Sequence, residues 1–297
     1  MATVQDIKRR VGSIQNTRKV TRAMELVSAA KLRRAEARIA ALRPYADRMR
    51  ELMIGTARAT PSRSFPLLEE REDVRSVAIL AVTGDRGLAG GFNAQIVRRA
   101  IRLAREAQGA GQDVKWLVTG KRGRSTLRFR RFDIVCAWTG FTDRPEYGDA
   151  NAIAHKVIEL FTEREVDRVA LVYNHYVSPL TQTVTVEDVL PIPRAALEEE
   201  EGKTAHEVAL EGDMIYEPEP ELILARLLPT YVETTVYRAL LESAASEHGA
   251  RMTAMRNASK NAGELIDRLT LEMNRARQAE ITQEILEVVA GADALEG

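Results

Sequence analysis

Heptad-like apolar patterns occupy both ends of the chain. From Val4 to Thr56, apolar residues recur at alternating steps of three and four, and only Gly12, Pro44 and, at the end of the range, Gly55 interrupt good helix formers. This spacing predicts one long helix with a single apolar stripe. At about 1.5 Å per residue the helix would reach roughly 80 Å. A globular core does not require a helix of that length.

The apolar stripe of this first helix weakens between Arg18 and Ser28, where polar residues take the seam positions. Val20, Met24 and Val27 lie one step round the helix. We therefore expect the stripe to shift in this region and the coil to open or twist.

A second long helix is predicted at the other end of the chain. Residues 231–290 contain no proline, and small and apolar residues recur from Ala245 to Ala276 at steps of three and four. At about 1.5 Å per residue the helix would be roughly 90 Å long. Pro229 is expected to kink its beginning or to separate a short leading helix. Because a domain lies between the two long helices in sequence, we expect them to form an antiparallel coiled coil.

Strand and helix patterns alternate in the middle of the chain. The predicted strands are residues 74–82, 114–119, 134–138, 168–177 and 181–190, and the predicted helices are residues 92–107 and 150–163. Such alternation favours a mostly parallel, Rossmann-like sheet. The β-branched pattern around Ser178 and Pro179 predicts an antiparallel pair at the sheet edge.

The predicted fold class is thus α/β plus a long antiparallel coiled coil, in which the N- and C-terminal helices pair into a shaft. The expected divisions are an N-terminal helix at 1–58, a linker at 59–73, an α/β domain at 74–190, an acidic linker at 191–219 and a C-terminal helix at 220–297. The acidic run at residues 198–201 suggests no role.

Charge is distributed unevenly although the formal net charge is zero. Residues 1–60 carry a net charge of plus nine, and residues 187–221 carry a net charge of minus ten. A basic arm of this kind is typical of proteins with acidic partners. The alternative is that arginine-rich helix faces are simply solvated.

Composition limits the possible classes of protein. With 45% apolar and 29% charged residues, the chain is typical of a globular or coiled-coil protein, and no apolar run has the length of a membrane span. The first residues lack the pattern of a secretory signal, so we expect a reducing cytoplasm. The single Cys136 excludes an internal disulfide and a cysteine-based zinc cluster.

The loop GDRGLAGGFN at residues 84–93 follows a strand and precedes a helix, where nucleotide-binding folds place their phosphate turn. Its glycines do not match G-x-G-x-x-G, and Gly-Lys-Ser or Gly-Lys-Thr is missing. A tight turn that needs positive φ at glycine is the favoured interpretation. Asp85 and Arg86 would then cap the turn or face a partner.

The sequence contains no nucleophile elbow and no metal-binding helix motif, and its four histidines show no ligand spacing. We therefore expect no catalytic residue, no metal and no cofactor. Two long helices and a domain without such signals favour a mechanical or scaffolding role.

Three segments resemble one protein family. The opening IKRRVGSIQNTRKVTRAMELVSAAKLRRA, the loop GDRGLAGGFN and the C-terminal stretch from SEHGARMTAMRNASKNAGELIDRLTLEMNRARQAEITQEIL onward occur in the order found in gamma subunits of rotary F-type ATP synthases. They span nearly the whole chain and coincide with the predicted helices and loop.

The resemblance implies a central rotor shaft that couples rotation of a membrane rotor ring to conformational change at catalytic beta subunits. Three alpha and three beta subunits would surround the coiled coil, while the epsilon subunit and the rotor ring would contact the foot. Catalysis would belong to the beta subunits, and nucleic acid would not be a partner. The protein would be peripheral, at the cytoplasmic face of the inner (cell) membrane.

The resemblance also implies roles for individual residues. Met24 matches the position near the acidic lever of the beta subunit. Contacts with the catch loops of beta and alpha are implied for Arg277, Gln278, Thr282 and Arg251. The apolar end of the chain would turn in a bearing, through Ile285, Leu286, Val288 and Val289.

Two other functions remain open on the sequence. The arginine-rich first sixty residues would also suit a basic coiled-coil protein that binds nucleic acid, although Tyr45 is their single aromatic residue. A nucleotide-dependent enzyme built on the central fold is the second alternative, and the missing motifs argue against it.

Overall fold

The computed structural model describes residues 3–60, 65–193, 196–197 and 219–296. The acidic run at 198–201 lies outside the described residues. In chain order the elements are α1 (Val4–Ala59), a 3-10 helix (Pro66–Leu68), β1 (Ser76–Val82), α2 (Phe92–Gly109), β2 (Asp113–Thr119), α3 (Lys121–Phe129), β3 (Ile134–Trp138), α4 (Tyr147–Thr162), β4 (Arg168–Tyr176), β5 (Gln182–Leu190) and α5 (Pro220–Glu296).

The chain divides into two compact units. One, here called the helical unit, contains Met1–Ser28 and Arg251–Gly297, and the other, the α/β unit, contains Ala29–Ala250. These units divide both long helices. The domain boundaries expected from sequence stay predictions.

The α/β unit is built on a five-stranded sheet with the order β3-β2-β1-β4-β5. Strands β1 to β4 pair in parallel, and β5 pairs antiparallel with β4 at the edge. The predicted mostly parallel sheet and its antiparallel edge pair are confirmed. Because β1 lies in the centre of the sheet, both of its faces are buried, which explains its continuous apolar sequence.

Helices cover both faces of the sheet. On one face, Val77, Ile79 and Ala81 of β1 pack with apolar residues of α2 and with Leu127 of α3. On the other face, the alternate β1 residues pack with α4, with the second half of α1 and with the first turns of α5. The alternation of side chains along a strand thus gives the sheet two separate cores.

Helix α3 was missed by the sequence analysis. It has nine residues, and only Gly123 and Leu127 are buried in it. Two buried positions four residues apart are too few for a clear helical period. Its formation depends on the tertiary contact of Leu127 with the sheet.

Helix α5 starts at Pro220, before residue 231, and continues through Pro229. A proline inside a helix costs about 3 kcal/mol. Leu224, Leu228 and Val232 are all buried in the core of the α/β unit. Their burial offsets the cost, since each fully buried apolar side chain contributes roughly 1.5–3 kcal/mol.

In the helical unit, the two long helices run antiparallel, as expected. Glu25 of α1 bonds Arg256 of α5, and the guanidinium of Arg18 lies beside Gly263. Residue numbers therefore fall along α1 as they rise along α5. The predicted seam residues Met255, Ala262 and Leu269 are buried at the steps that the periodicity indicated.

The expected shift of the apolar stripe on α1 was wrong. Val20 and Val27 are more than half exposed, whereas Thr21, Glu25 and Ser28 are buried. The hydroxyls of Thr21 and Ser28 donate to helix carbonyls three and four residues earlier, at 3.0 and 2.7 Å. Polar side chains that bond their own helix can occupy a seam without leaving a buried donor unsatisfied.

Candidate functional site: partner-facing surfaces of the helical unit

The loop after β1 is held by Asp85. Its carboxylate accepts hydrogen bonds from the backbone N–H of Lys121 at 3.0 Å, from the N–H of Gly140 at 2.8 Å and from the hydroxyl of Thr142 at 3.0 Å. Lys121 is the first residue of α3, where a phosphate would otherwise receive such donors. A carboxylate therefore occupies the anion-binding position, which supports the interpretation of a tight turn.

A second carboxylate lies against the same loop. A Cβ built at Gly84 would come within 2.4 Å of a carboxylate oxygen of Glu247 on α5. Glycine is required at this position because the helix packs directly on the turn. The expected positive φ occurs at Gly90, at 56°, and also at Leu88, at 61°. Two carboxylates at the end of β1 disfavour a phosphate.

The histidines acquire acidic neighbours that the sequence spacing did not indicate. His175 Nδ1 lies 2.5 Å from a carboxylate oxygen of Glu242, and His155 Nε2 lies 3.8 Å from Glu233. The members of each pair are more than sixty residues apart in sequence. Only the packing of α5 against β4 and α4 brings them together, so no sequence signal could have found them.

Among the residues that the structure describes, no group of three or more His, Cys, Asp or Glu side chains is placed to hold a metal ion. Within the same part of the chain, no helix combines the length and the apolar character that a membrane crossing requires.

Glu25 is the polar centre of the helical unit. Its buried carboxylate accepts hydrogen bonds from Arg22 at 2.7 Å and from Arg256 at 3.1 Å. Burial would raise the pKa of Glu25, but the bonds from Arg256 and Arg22 outweigh it and the pKa is lowered from its ordinary value. The ion pair thus ties the two helices together while both arginines stay largely exposed.

Beside Glu25, the two helices form an open groove of about 800 Å³. Its lining combines cationic and apolar side chains. The lining residues are Gln15, Arg18, Lys19, Arg22, Ala23, Leu26, Ser259 and Ile266. Such a lining suits an amphipathic ligand surface that carries negative charge.

The same part of α1 also exposes apolar side chains outside the groove. Val20, Leu26 and Val27 are 58%, 59% and 56% exposed, and Met24 beside them is half-buried. Single exposed apolar residues are ordinary, but a group of three within eight residues on a helix indicates an interaction surface. The predicted lever residue Met24 lies at the margin of this group.

The end of α5 is exposed on every side. All side chains from Arg277 to Ala290 are exposed. They include Ile285, Leu286, Val288 and Val289, which are 50–72% exposed. At 3.6 residues per turn these apolar residues lie on one broad face of the helix, and that face stays uncovered within the described part of the chain. This segment therefore requires a surrounding partner to bury them.

The predicted catch residues do not all share one surface. Arg277, Gln278 and Thr282 lie together on the exposed segment, and the Thr282 hydroxyl donates to the Gln278 carbonyl at 2.8 Å. Arg251 is only 6% exposed. It is also separated from Arg277 by 26 residues of helix, about 39 Å. A partner contact of Arg251 stays a prediction, and its burial does not favour one.

These observations define a class of protein. The antiparallel helix pair carries exposed apolar and cationic surfaces, and the α/β unit places carboxylates where a nucleotide fold would hold phosphate. Such a chain acts through contact with partner proteins.

Comparison with known proteins identifies the family. A model of the ATP synthase family matches residues 3–295. The ATP synthase gamma chain of Rubrobacter xylanophilus is 48% identical over 295 residues, which cover 99% of both chains. That of Moorella thermoacetica is 45% identical and covers 99% of this chain and 100% of its own. The chain belongs to the ATP synthase gamma chain family.

Solved structures agree with this assignment. A chain of the Tetrahymena thermophila mitochondrial ATP synthase, in a structure of the central stalk and c-ring, is 27% identical, with a TM-score of 0.58 over 81% of this chain and 99% of that one. A chain of the Euglena gracilis enzyme, in a structure of OSCP, F1 and c-ring, has a TM-score of 0.68 over 98% of this chain and 94% of that one. At 18% identity the second likeness shows the fold alone.

Proposed function

We propose that this chain is the central rotor shaft of a proton-translocating ATP synthase, a non-catalytic subunit that couples rotation of a membrane rotor ring to conformational change at the catalytic beta subunits. The observation that carries the proposal is the 48% identity to a gamma chain over 99% of both sequences. The unburied surfaces of the helical unit give the shaft its contacts.

The groove and its apolar margin are the proposed contact for the beta lever. Arg18, Lys19 and Arg22 supply positive charge, and Leu26 and Met24 supply apolar surface. An acidic, amphipathic lever matches both properties. Long-range attraction between the cationic groove and the acidic lever guides the lever toward the shaft. The apolar contact then gives an interaction that depends on the angle of the shaft.

Asymmetry of the helix pair accounts for coupling. The groove lies on one side of the pair and the exposed Val20 and Val27 lie on another, so three surrounding beta subunits would meet different surfaces at any moment. A partner's conformational equilibrium shifts only by the difference in contact free energy between its states. Rotation of a shaft with one distinctive side supplies that difference to each beta subunit in turn.

The end of α5 is the proposed bearing and catch. Ile285, Leu286, Val288 and Val289 would lie in an apolar sleeve formed by three alpha and three beta subunits. Arg277, Gln278 and Thr282, one to two turns before them, would bond the catch loops of beta and alpha. The exposure of these residues in the free chain supports the proposal, because each is available for contact.

The α/β unit is the proposed foot. It would contact the epsilon subunit and the membrane rotor ring, at the cytoplasmic face of the inner (cell) membrane. No cofactor is required for this role, and catalysis would take place on the beta subunits.

Reconstitution tests the proposal. Purified chain is mixed with matching alpha and beta subunits, and magnesium-dependent ATP hydrolysis is measured in the isolated assembly. Full-length chain is compared with a version that ends at Ala276. We expect a stable, active assembly with the full chain, and weaker assembly or weaker coupling with the truncation.

A point variant distinguishes a contact role of the groove from a general effect on stability. Leu26→Ser removes apolar surface from the groove, whereas Ala30→Ser makes a similar polar change at an exposed position of the same helix. We expect only Leu26→Ser to lower hydrolysis in the assembly. Activity that is independent of the chain, combined with salt-dependent binding of the chain to DNA, would contradict the proposal and favour the nucleic-acid alternative.

A further inference from the structure

The α/β unit carries a second strongly basic surface, which the sequence analysis did not single out. From residue 114 to residue 132 the chain contains seven Lys or Arg residues and no Asp or Glu. Five of them, Arg122, Arg124, Arg128, Arg130 and Arg131, are exposed on or directly after α3. No ion pair is recorded for these five within the described residues. We call this group, together with Phe129, the α3 basic surface.

Helix α2 extends the charge. Arg98, Arg102 and Arg105 are exposed and spaced by four and three residues, which places them on one face of the helix. Helices α2 and α3 cover the same face of the sheet. Positive charge is therefore spread across the outer side of that layer.

The charge concentrates at one edge of the sheet. Helices that connect parallel strands run opposite to the strands, so α2 and α3 end at the edge where β1 to β4 begin. Arg105, Arg128, Arg130 and Arg131 lie at these helix ends. We call this the amino edge of the sheet.

Helix α5 approaches the opposite edge. The Ser246 hydroxyl donates to the Asn174 carbonyl at 3.2 Å, near the end of β4, and Glu247 lies against Gly84, directly after β1. Earlier turns of α5, at Leu224 and Leu228, share a core with Leu67 and Leu190 at the amino edge. The helix thus starts near the amino edge and reaches the carboxyl edge.

Phe129 gives the α3 basic surface an apolar tip. It is 88% exposed, the highest value among the large apolar side chains that the structure describes. Its neighbour Phe132 closes the core by packing on Trp116, with ring centroids 4.9 Å apart. Phe129 is therefore not needed for the core.

Helix stabilisation explains only part of this pattern. Cations at the last turn of a helix interact favourably with its dipole, and this accounts for Arg128 and its neighbours. It does not account for Arg98, Arg102 and Arg124, which lie further from the helix ends, or for Phe129. A surface of several arginines with a protruding aromatic ring is typical of proteins that lie on an anionic lipid interface.

We infer that the α3 basic surface docks on the anionic headgroups of the membrane, with Phe129 inserted at the interface. The inference rests on the proposed function, because it requires the α/β unit to be the foot beside the membrane rotor ring and its lipid. Together with the exposed arginines of α2, the α3 basic surface spreads long cationic side chains over two helices, which matches an extended bilayer better than one acidic protein.

Vesicle flotation tests the inference with the full chain. Vesicles of phosphatidylcholine alone are compared with vesicles that contain phosphatidylglycerol, at low and at high salt. We expect binding only to the anionic vesicles and loss of binding at high salt. Because each cation near such a surface contributes on the order of a fivefold gain in binding, R124Q/R128Q/R130Q/R131Q should weaken it at least about a hundredfold.

A matched variant controls for net charge. R10Q/R33Q/R34Q/R43Q removes four exposed arginines from α1, and we expect it to weaken binding far less. Equal loss in both variants would overturn the inference, since attraction would then follow total charge. Binding that ignores phosphatidylglycerol content would also overturn it.

Phe129→Ser tests the apolar part. We expect severalfold weaker binding to anionic vesicles, while Leu180→Ser, at another strongly exposed apolar residue, leaves binding unchanged. Assembly of the unmodified chain with alpha and beta subunits is measured in parallel. Failure of assembly would count against the proposed function, whereas absent vesicle binding with intact assembly would overturn only the membrane inference. In that case, binding of a purified acidic partner subunit to the α3 basic surface would identify a protein, and not the membrane, as its partner.

Discussion

The α/β unit and the helical unit place polar and apolar side chains in opposite ways. In the α/β unit, the central strand is apolar and buried on both faces. In the helical unit, Thr21, Glu25 and Ser28 are buried while Val20, Leu26 and Val27 are exposed. The sheet of the first unit is buried within that unit, although single apolar side chains such as Phe129 and Leu180 stay exposed. The second leaves apolar surface for a partner, which is the behaviour of a subunit that functions only inside an assembly.

The largest expected effect is loss of core packing in the α/β unit. Leu80→Ala removes a side chain that is 1% exposed at the centre of the sheet. We expect a loss of about 2–5 kcal/mol in the free energy of unfolding, measured by denaturant titration. Leu286→Ala, at a position that is 63% exposed, should change it by less than about 0.5 kcal/mol. Equal losses of unfolding free energy in the two variants would contradict the difference in burial between the two units.

The next largest loss of stability is expected from a substitution at a glycine with positive φ. Gly120 has φ of 86°, and a Cβ there would come within 2.2 Å of the Thr83 carbonyl oxygen. We expect Gly120→Ala to cost at least about 1–3 kcal/mol through strain alone. Gly109→Ala is the control, since nothing lies within 4 Å of its added Cβ. Thermal unfolding distinguishes them, and a neutral Gly120→Ala would refute the packing described for this turn.

Two carboxylates, the buried Glu25 and the half-buried Asp167, allow the units to be compared by pH. Asp167 accepts bonds from Arg71 and from the backbone N–H groups of Arg75 and Ser76, and Glu25 accepts bonds from Arg22 and Arg256. In both cases burial alone would raise the pKa, but these donors outweigh it and lower the pKa below the ordinary values of 3.8 and 4.5.

A lowered pKa in the folded state means that the carboxylate stabilises the protein above its ordinary pKa. For Glu25 this contribution declines as pH falls below about 4.5 and is lost below the lowered pKa of the folded state. At pH 7 we expect Asp167→Asn to cost about 1.5–3 kcal/mol, and Glu25→Gln to cost about 1 kcal/mol because its arginines are exposed. Unfolding of each variant from pH 3 to 7 checks this, and the differences from the parent should shrink in acid.

The smallest effect on stability should accompany a large effect on function. Ile285→Ser with Val289→Ser replaces exposed apolar residues on α5, so we expect less than about 0.5 kcal/mol of change in unfolding. In assembly with alpha and beta subunits, the same variant should hydrolyse ATP with weaker coupling or assemble poorly. Glu280→Gln with Glu284→Gln, in the same exposed segment, is the control. Full activity of the serine variant would exclude a bearing at these residues.

The periodicity of the chain predicted most of the fold. The strand at residues 134–138 was placed at its observed bounds, and the edge pair of β4 and β5 followed from alternating β-branched residues. Helix α3 was missed, because its two buried residues depend on the sheet beneath them. The sequence left open whether Pro229 kinks the beginning of the C-terminal helix or separates a short leading helix, because proline is unfavourable locally. The burial of Leu224 and Leu228 explains why one helix continues through this proline.

The candidate site was less accessible to sequence. A polar residue at a seam position looks like a break in the stripe, since a hydropathy pattern does not contain its hydrogen bonds. Glu25 is buried because Arg256, 231 residues later, donates to it. The groove beside them likewise needs both helices.

By itself the sequence determined most of the helices and strands, the parallel sheet and the family, because these follow from local spacing and from motifs of adjacent residues. The tertiary structure decided which surfaces stay open. These surfaces depend on contacts between residues distant in sequence. Examples are the exposure of Val20, the burial of Glu25, the closure of the loop by Asp85 and the protrusion of Phe129. Burial is a property of the packed chain, and no window of sequence contains the atoms that exclude water from a residue.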